Sequence, residues 1–243
     1  MNINKVRKFL RIIRSNEYLR YLITFGVAAS VEHDKVLKNI SEKITCFVDI
    51  GSNRGQFAIT ARKKFPSSKI YCFEPLKEPA ALFRRIFSSD PQVVLREMAI
   101  GPEEREMAIH VSRADDSSSL LQITALQNNL FPGTAEKETR TVQVKPLEAV
   151  LSAKDIKSPA LLKIDVQGFE LEVLKGCQSL LSSFDYIYVE CSFMELYSGQ
   201  ALAHEIITFL EKEGFYLSGV YHLSYDRQGA AVQGDFLFKR SGN

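Results

Sequence analysis

The sequence predicts an α/β fold, a mostly parallel sheet with helices on both faces, preceded by a helical N-terminal segment. Three observations predict it. From Ile44 onward, apolar runs of strand length alternate with segments of helical spacing. Those runs are nearly continuous rather than alternating, as strands buried on both faces are. Two stretches, CFVDIGSNRGQFA and ALLKIDVQGFELEVLKG, pass from such a run through a glycine turn into a helical pattern.

In chain order, the strand candidates are Ile44–Ile50, Lys69–Phe73, Gln92–Arg96, Ala160–Val166, Tyr186–Cys191, Phe215–Tyr221 and Asp235–Lys239. Helical spacing marks Gln56–Lys64, Ala80–Phe87, Phe169–Leu181 and Leu202–Lys212. The alternation breaks between about 105 and 150, where strand-like Glu106–Val111 and Thr139–Val144 flank a polar loop, Arg113–Ser119, and a short helical stretch near Leu120–Leu126. This reads as an insertion, a common source of substrate contacts, and its Ser117-Ser118-Ser119 suits either a cleft wall or plain exposure. The organisation expected is a helical extension over 1–43 and a main domain over 44–243.

Hydrophobic content of 45% and a formal net charge of +2 fit a globular chain with a sizeable core and make no case for nucleic-acid binding. The charge is uneven: within residues 1–20, six cations (Lys5, Arg7, Lys8, Arg11, Arg14, Arg20) stand against Glu17, a balance of +5. The ordinary expectation is a solvated helix whose Phe9, Leu10, Ile12 and Ile13 pack on the main domain; the alternative is weak contact with an anionic membrane surface. No apolar run reaches the ~20 residues of a transmembrane helix. The four cysteines (Cys46, Cys72, Cys177, Cys191) lack C-x-x-C spacing and read as reduced core residues of a cytoplasmic protein, with no metal site expected.

The loop Gly51-Ser52-Asn53-Arg54-Gly55 excludes a triphosphate P-loop, because its glycines are one residue too close and Gln56-Phe57 replace Lys-Ser/Thr. A nicotinamide site wants glycine where Asn53 stands, and Asp49 would repel a pyrophosphate. S-adenosylmethionine, phosphate-free and carrying a sulfonium and an ammonium, suits these residues better. Asn53 tolerates the left-handed backbone such turns need, and Glu74 at the next strand end can accept from ribose hydroxyls. In the second unit, Lys163 and Asp165 are charges inside an apolar strand. Lys163 reads as a structural ion-pair partner. Asp165, at the carboxyl end where open sheets bind ligands, reads as a residue of the cofactor's methionine end or of the reacting hydroxyl.

VDIGSNRGQFA, Phe73-Glu74-Pro75, Ala99-Ile100-Gly101 and KIDVQGFELEVLKG, over about Ile44 to Lys239, resemble the FkbM-type family of S-adenosylmethionine-dependent methyltransferases. The resemblance implies a class I methyltransferase (Rossmann-like) fold, a seven-stranded sheet with one reversed strand, for which Asp235–Lys239 is the candidate. It implies O-methyl transfer to a hydroxyl of a sugar or another natural product. Asp49, Gly51, Asn53, Gly55, Phe57, Glu74, Ala99 and Asp165 then fall on the cofactor site. Gln167 departs from the family's usual Glu, and Leu147-Glu148 from its usual Leu-Asp.

For a general base, the strand-end candidates are Asp165, Glu190 and His222, while His33, His110 and His204 read as surface or packing residues. The competing functions are a nicotinamide-dependent oxidoreductase and a catalytically silent partner of glycan-assembly enzymes.

Overall fold

The computed structural model describes residues 3–40 and 42–242, with residues 3–5, 7 and 115 described by backbone alone. Lys5 and Arg7 of the basic segment therefore have side chains outside the described residues. The elements are α1 (Ile3–Ile13), α2 (Asn16–Phe25), α3 (Asp34–Asn39), β1 (Cys46–Ile50), α4 (Gln56–Lys64), β2 (Lys69–Phe73), α5 (Lys77–Ile86), β3 (Val93–Arg96), β4 (Ala99–Ile100) and β5 (Arg105–Ser112). There follow α6 (Ala125–Leu130), β6 (Glu136–Lys145), β7 (Ala160–Ile164), α7 (Glu170–Gly176), β8 (Tyr186–Ser192), α8 (Ala203–Lys212), β9 (Phe215–Tyr225) and β10 (Ala231–Arg240).

Seven strands form the main sheet in the order β3-β2-β1-β7-β8-β10-β9. β1 and β7, buried at every position, lie side by side at its centre, as two-sided burial requires of continuous apolar runs. β10 runs antiparallel to both β8 and β9, so the expected reversed strand is the inserted one. The chain moves outward through β2 and β3 before returning to β7 beside β1. That reversal of strand order is a switch point, and ligands bind at the carboxyl ends of the strands there.

Alternate residues of the central strands face opposite layers. Val48, Ile50, Leu162, Ile164 and Val189 pack against Val173 and Leu174 of α7 and Ile206 and Leu210 of α8. Phe47, Ile70, Leu161 and Tyr188 pack against Phe57 and Ile59 of α4 and Phe83 of α5, together with Tyr18, Val31, Val36 and Leu37 from the N-terminal segment. That segment is thus part of one layer of the core. The packing expected of α1 is only partly met: Ile12 is 2% exposed, but Phe9, Leu10 and Ile13 are 54%, 41% and 38% exposed.

The insertion's β5 and β6 join β4, which precedes it, in a second, three-stranded sheet, β4-β6-β5. The insertion's helix lies later than expected, over Ala125–Leu130, because Thr124 Oγ accepts the Gln127 amide at 3.2 Å and caps it there. Among the described residues no helix is long and apolar enough to cross a membrane.

Candidate active site

At the carboxyl ends of β1, β2 and β7 a cavity of about 240 Å³ opens, roofed by the insertion. Its wall includes Gly51, Ser52 and Asn53 after β1, Glu74 after β2, Ala99 and Ile100 of β4, and Lys163, Asp165 and Gln167 around the end of β7. Ser118 and Ser119 of the insertion and Lys8, Glu32 and His33 of the N-terminal segment complete it. Phe57, also on the wall, is 3% exposed.

The turn after β1 is built by close approach. Gly51 (φ +81°) sits where a Cβ would meet the Asp165 carbonyl oxygen at 1.9 Å, so the loop can cross the end of β7 only without a side chain. Gly55 (φ +86°) does not line the cavity; a Cβ there would press on Phe83 and Phe87 at 2.8–2.9 Å. Its expected place at the cofactor is corrected to one behind the loop, against α5. Asn53 takes the left-handed backbone foreseen for it, φ +46°. Its amide donates to Glu74 Oε2 at 3.0 Å while the Leu76 amide donates to Glu74 Oε1 at 2.8 Å, which fixes the carboxylate on the wall. Asn53 Oδ1 is buried with no hydrogen-bond partner, an acceptor suited to a ligand donor.

Asp49 also departs from expectation. It is fully buried, lies beneath the wall rather than on it, and stands in register with Lys163 on the neighbouring strand. Lys163 Nζ is 3.4 Å from Asp49 Oδ1 and 3.4 Å from Asp165 Oδ2. Burial opposes the ammonium, but Asp165 and Asp49 outweigh it and raise the Lys163 pKa. Burial raises the Asp49 pKa, with Lys163 offsetting part of the shift. Lys163 is therefore the expected ion-pair partner, and it also lines the cavity between two acids. Asp49 acts on the cavity through it.

Of the three candidate bases, only Asp165 lines the cavity. Gln167 Nε2 donates to Asp165 Oδ1 at 2.9 Å and to Glu190 Oε2 at 2.8 Å, and the Tyr197 hydroxyl donates to Gln167 Oε1 at 2.8 Å. Glu190 takes a further bond from Gln233 Nε2 at 2.9 Å and stays off the wall. Burial, followed by the charge of Asp165, drives its pKa well above the carboxylate range. Held by two side-chain amides and off the wall, Glu190 is not placed to serve as the base at the cavity, which corrects that expectation. The amide of Gln167 is what lets the two acids lie so close; a Glu there would add a third carboxylate.

His222 is corrected likewise. It lies off the wall, with Nδ1 2.6 Å from Asp235 Oδ2. Burial opposes its charge, but the Asp235 bond outweighs it and raises the imidazole pKa. The histidine on the wall is His33, 8% exposed, whose Nδ1 is 2.9 Å from the Tyr188 hydroxyl, itself a donor to Asp235 Oδ2 at 2.9 Å. Burial above all holds its pKa down to about 3, so it is neutral. No pattern in the sequence marks His33, because its partners come from strands far along the chain. Among the described residues one trio, His33, His222 and Asp235, brings potential metal-ligand atoms within 4.8 Å of one another. The nearby charge of Lys163 opposes a cation there.

The charged side chains of the wall are Lys8 and Lys163 against Glu32, Glu74, Asp116 and Asp165, a balance of −2 with His33 neutral. Such a wall repels a pyrophosphate and attracts a cationic ligand.

Residues 49–217 match the family described as Methyltransferase FkbM domain. The chain is 29% identical over 189 residues to the 2-O-methyltransferase NoeI of Sinorhizobium fredii, covering 73% of this chain and 76% of that protein. It is 26% identical over 158 residues to the hexuronic acid methyltransferase AglP of Haloferax volcanii, covering 64% and 59%. The crystal structure of methyltransferase FkbM from Methylobacillus flagellatus superposes with a TM-score of 0.54 at 12% identity, over 96% of this chain and 59% of that longer one. That superposition carries the class I methyltransferase fold.

Proposed function

The chain belongs to the FkbM methyltransferase family, and on that premise we propose that it is an S-adenosylmethionine-dependent O-methyltransferase acting on a hydroxyl of a sugar or glycan. The observation that carries the reading is the cavity wall: net negative, bearing a fixed Glu74 carboxylate and the unpartnered Asn53 Oδ1. These groups fit a ligand with hydroxyl donors and positive charge, and they do not fit a nicotinamide dinucleotide. The 2-O-methyltransferase and hexuronic acid methyltransferase activities in the relatives' names support the acceptor class. Four buried, free cysteines support a reducing compartment such as the cytoplasm.

When bound, S-adenosylmethionine supplies an electrophilic methyl group. Glu74 holds hydroxyl donors, and Asn53, Gly51 and Ala99 shape the wall around them. Lys163, clamped between Asp49 and Asp165, fixes the position of the Asp165 carboxylate. Asp165 orients the acceptor hydroxyl and takes its proton as the oxygen is methylated, worth roughly 10²–10⁴ in rate. The insertion and the N-terminal segment, walling the cavity from two sides, exclude water from the displacement.

The test is transfer of labelled methyl from S-adenosylmethionine into glycan fractions of the host by the purified full chain. The expected label sits on a sugar oxygen as an ether and survives mild base. Label that base releases would identify a carboxyl ester and overturn the hydroxyl assignment. No label above the heat-killed control would overturn the enzyme assignment in favour of a silent partner.

A further inference from the structure

We propose that α1 docks the protein on an anionic lipid bilayer with the rim of the cavity held at the surface. Helix α1 is amphipathic, yet its polar side faces the protein. Lys8 Nζ meets Glu32 Oε1 at 2.8 Å and Arg11 meets Asp34 Oδ2 at 2.8 Å, and Ile12, on the same side of the helix, is buried. At 3.6 residues per turn, Val6, Phe9, Leu10 and Ile13 fall within an arc of about 100° on the other side. Three of these are large side chains left 54%, 41% and 38% exposed. A surface helix of a globular protein turns its apolar arc to the core; this one turns it to solvent.

The charge around the arc identifies the occupant. Arg14 and Arg20 are exposed, and among the described residues neither enters an ion pair. An apolar helix face with exposed cations close behind it in the chain, Arg14 just past α1 and Arg20 in α2, matches an interface of anionic headgroups over acyl chains. It does not match a second copy of the same helix, whose arginines would meet like charge. The opposite side of α1 supplies Lys8 to the cavity wall, so the docked helix lies between bilayer and cavity. An acceptor carried on a lipid would reach the cavity from that surface, an extension that rests on the methyltransferase reading; the docking itself does not.

The experiment is co-sedimentation of the full chain with phosphatidylglycerol-containing vesicles and with pure phosphatidylcholine vesicles. Binding is expected to the anionic vesicles, weakening with added salt. Phe9→Asp/Ile13→Asp should weaken it by about tenfold or more, and Arg14→Glu/Arg20→Glu should remove the preference for anionic lipid. Melting temperature and methyl transfer to a soluble acceptor serve as folding controls, since all four positions are exposed. Wild-type protein that stays in the supernatant, or a Phe9/Ile13 variant that sediments like wild type, overturns the docking. So does a wild-type dimer that the same variant dissociates, because a second copy would then cover the arc. Failure of the methyltransferase reading would appear as absent methyl transfer with vesicle binding intact.

Discussion

Lys163→Met is expected to destabilise the protein by about 3–5 kcal/mol, the usual result of stranding a buried charge. Asp49 is fully buried, neither carboxylate oxygen has a hydrogen bond, and Lys163 at 3.4 Å supplies its countercharge. Without the ammonium, Asp49 must ionise unpaired at the centre of the sheet or hold a proton. Its pKa is raised in the fold, so the native state binds the extra proton and stability falls as pH rises from the unfolded carboxylate value through the folded one. Removing Lys163 raises that pKa further, and the deficit of the variant should widen over that rise. Adding Asp49→Asn should recover much of the loss, giving a large coupling energy in a double-mutant cycle. Urea denaturation across pH checks this. A Lys163→Met protein within about 1 kcal/mol of wild type, uncoupled to Asp49, would mean that the two charges are not a pair.

Asp165→Asn is expected to lower kcat by roughly 10²–10⁴ while leaving the affinity for S-adenosylhomocysteine within a few fold. The amide is isosteric and neutral, Lys163 keeps Asp49 as its countercharge, and Gln167 keeps its bond to Glu190. What disappears is the proton acceptor on the cavity wall. Steady-state kinetics with a fixed sugar acceptor separates the effects: kcat should fall while inhibition by S-adenosylhomocysteine stays close to that of wild type. A kcat near that of wild type would transfer the role to another wall residue, with His33 the next in place.

The sheet is legible in the sequence because its central strands are apolar throughout, and because the turns after β1 and β7 carry glycines that only a left-handed or crowded backbone needs. The carboxyl-end positions of Asp165 and Glu74 follow from the same pattern. Three features are not legible, each because it depends on what lies across the fold. Asp49 looks like a cofactor ligand until the register of β1 with β7 sets it opposite Lys163. Glu190 stands near the end of β8 as expected, but Gln167 and Gln233 engage both of its oxygens, while His222 lies within β9, which runs on to Tyr225, and is bonded to Asp235. The periodicity of α1 identifies an amphipathic helix without saying which side meets the protein. The ion pairs to Glu32 and Asp34 decide that.

The central claim is that the cavity after β1, β2 and β7 accepts S-adenosylmethionine. Thermal unfolding of the wild-type chain with S-adenosylhomocysteine, beside NAD at the same concentration, tests it most directly. At about a hundredfold excess over Kd, ligand bound only by the folded state adds about 2.7 kcal/mol, a rise on the order of 5–10 °C for a chain of this size. That rise with S-adenosylhomocysteine and none with NAD is the predicted result; stabilisation by NAD alone would contradict it.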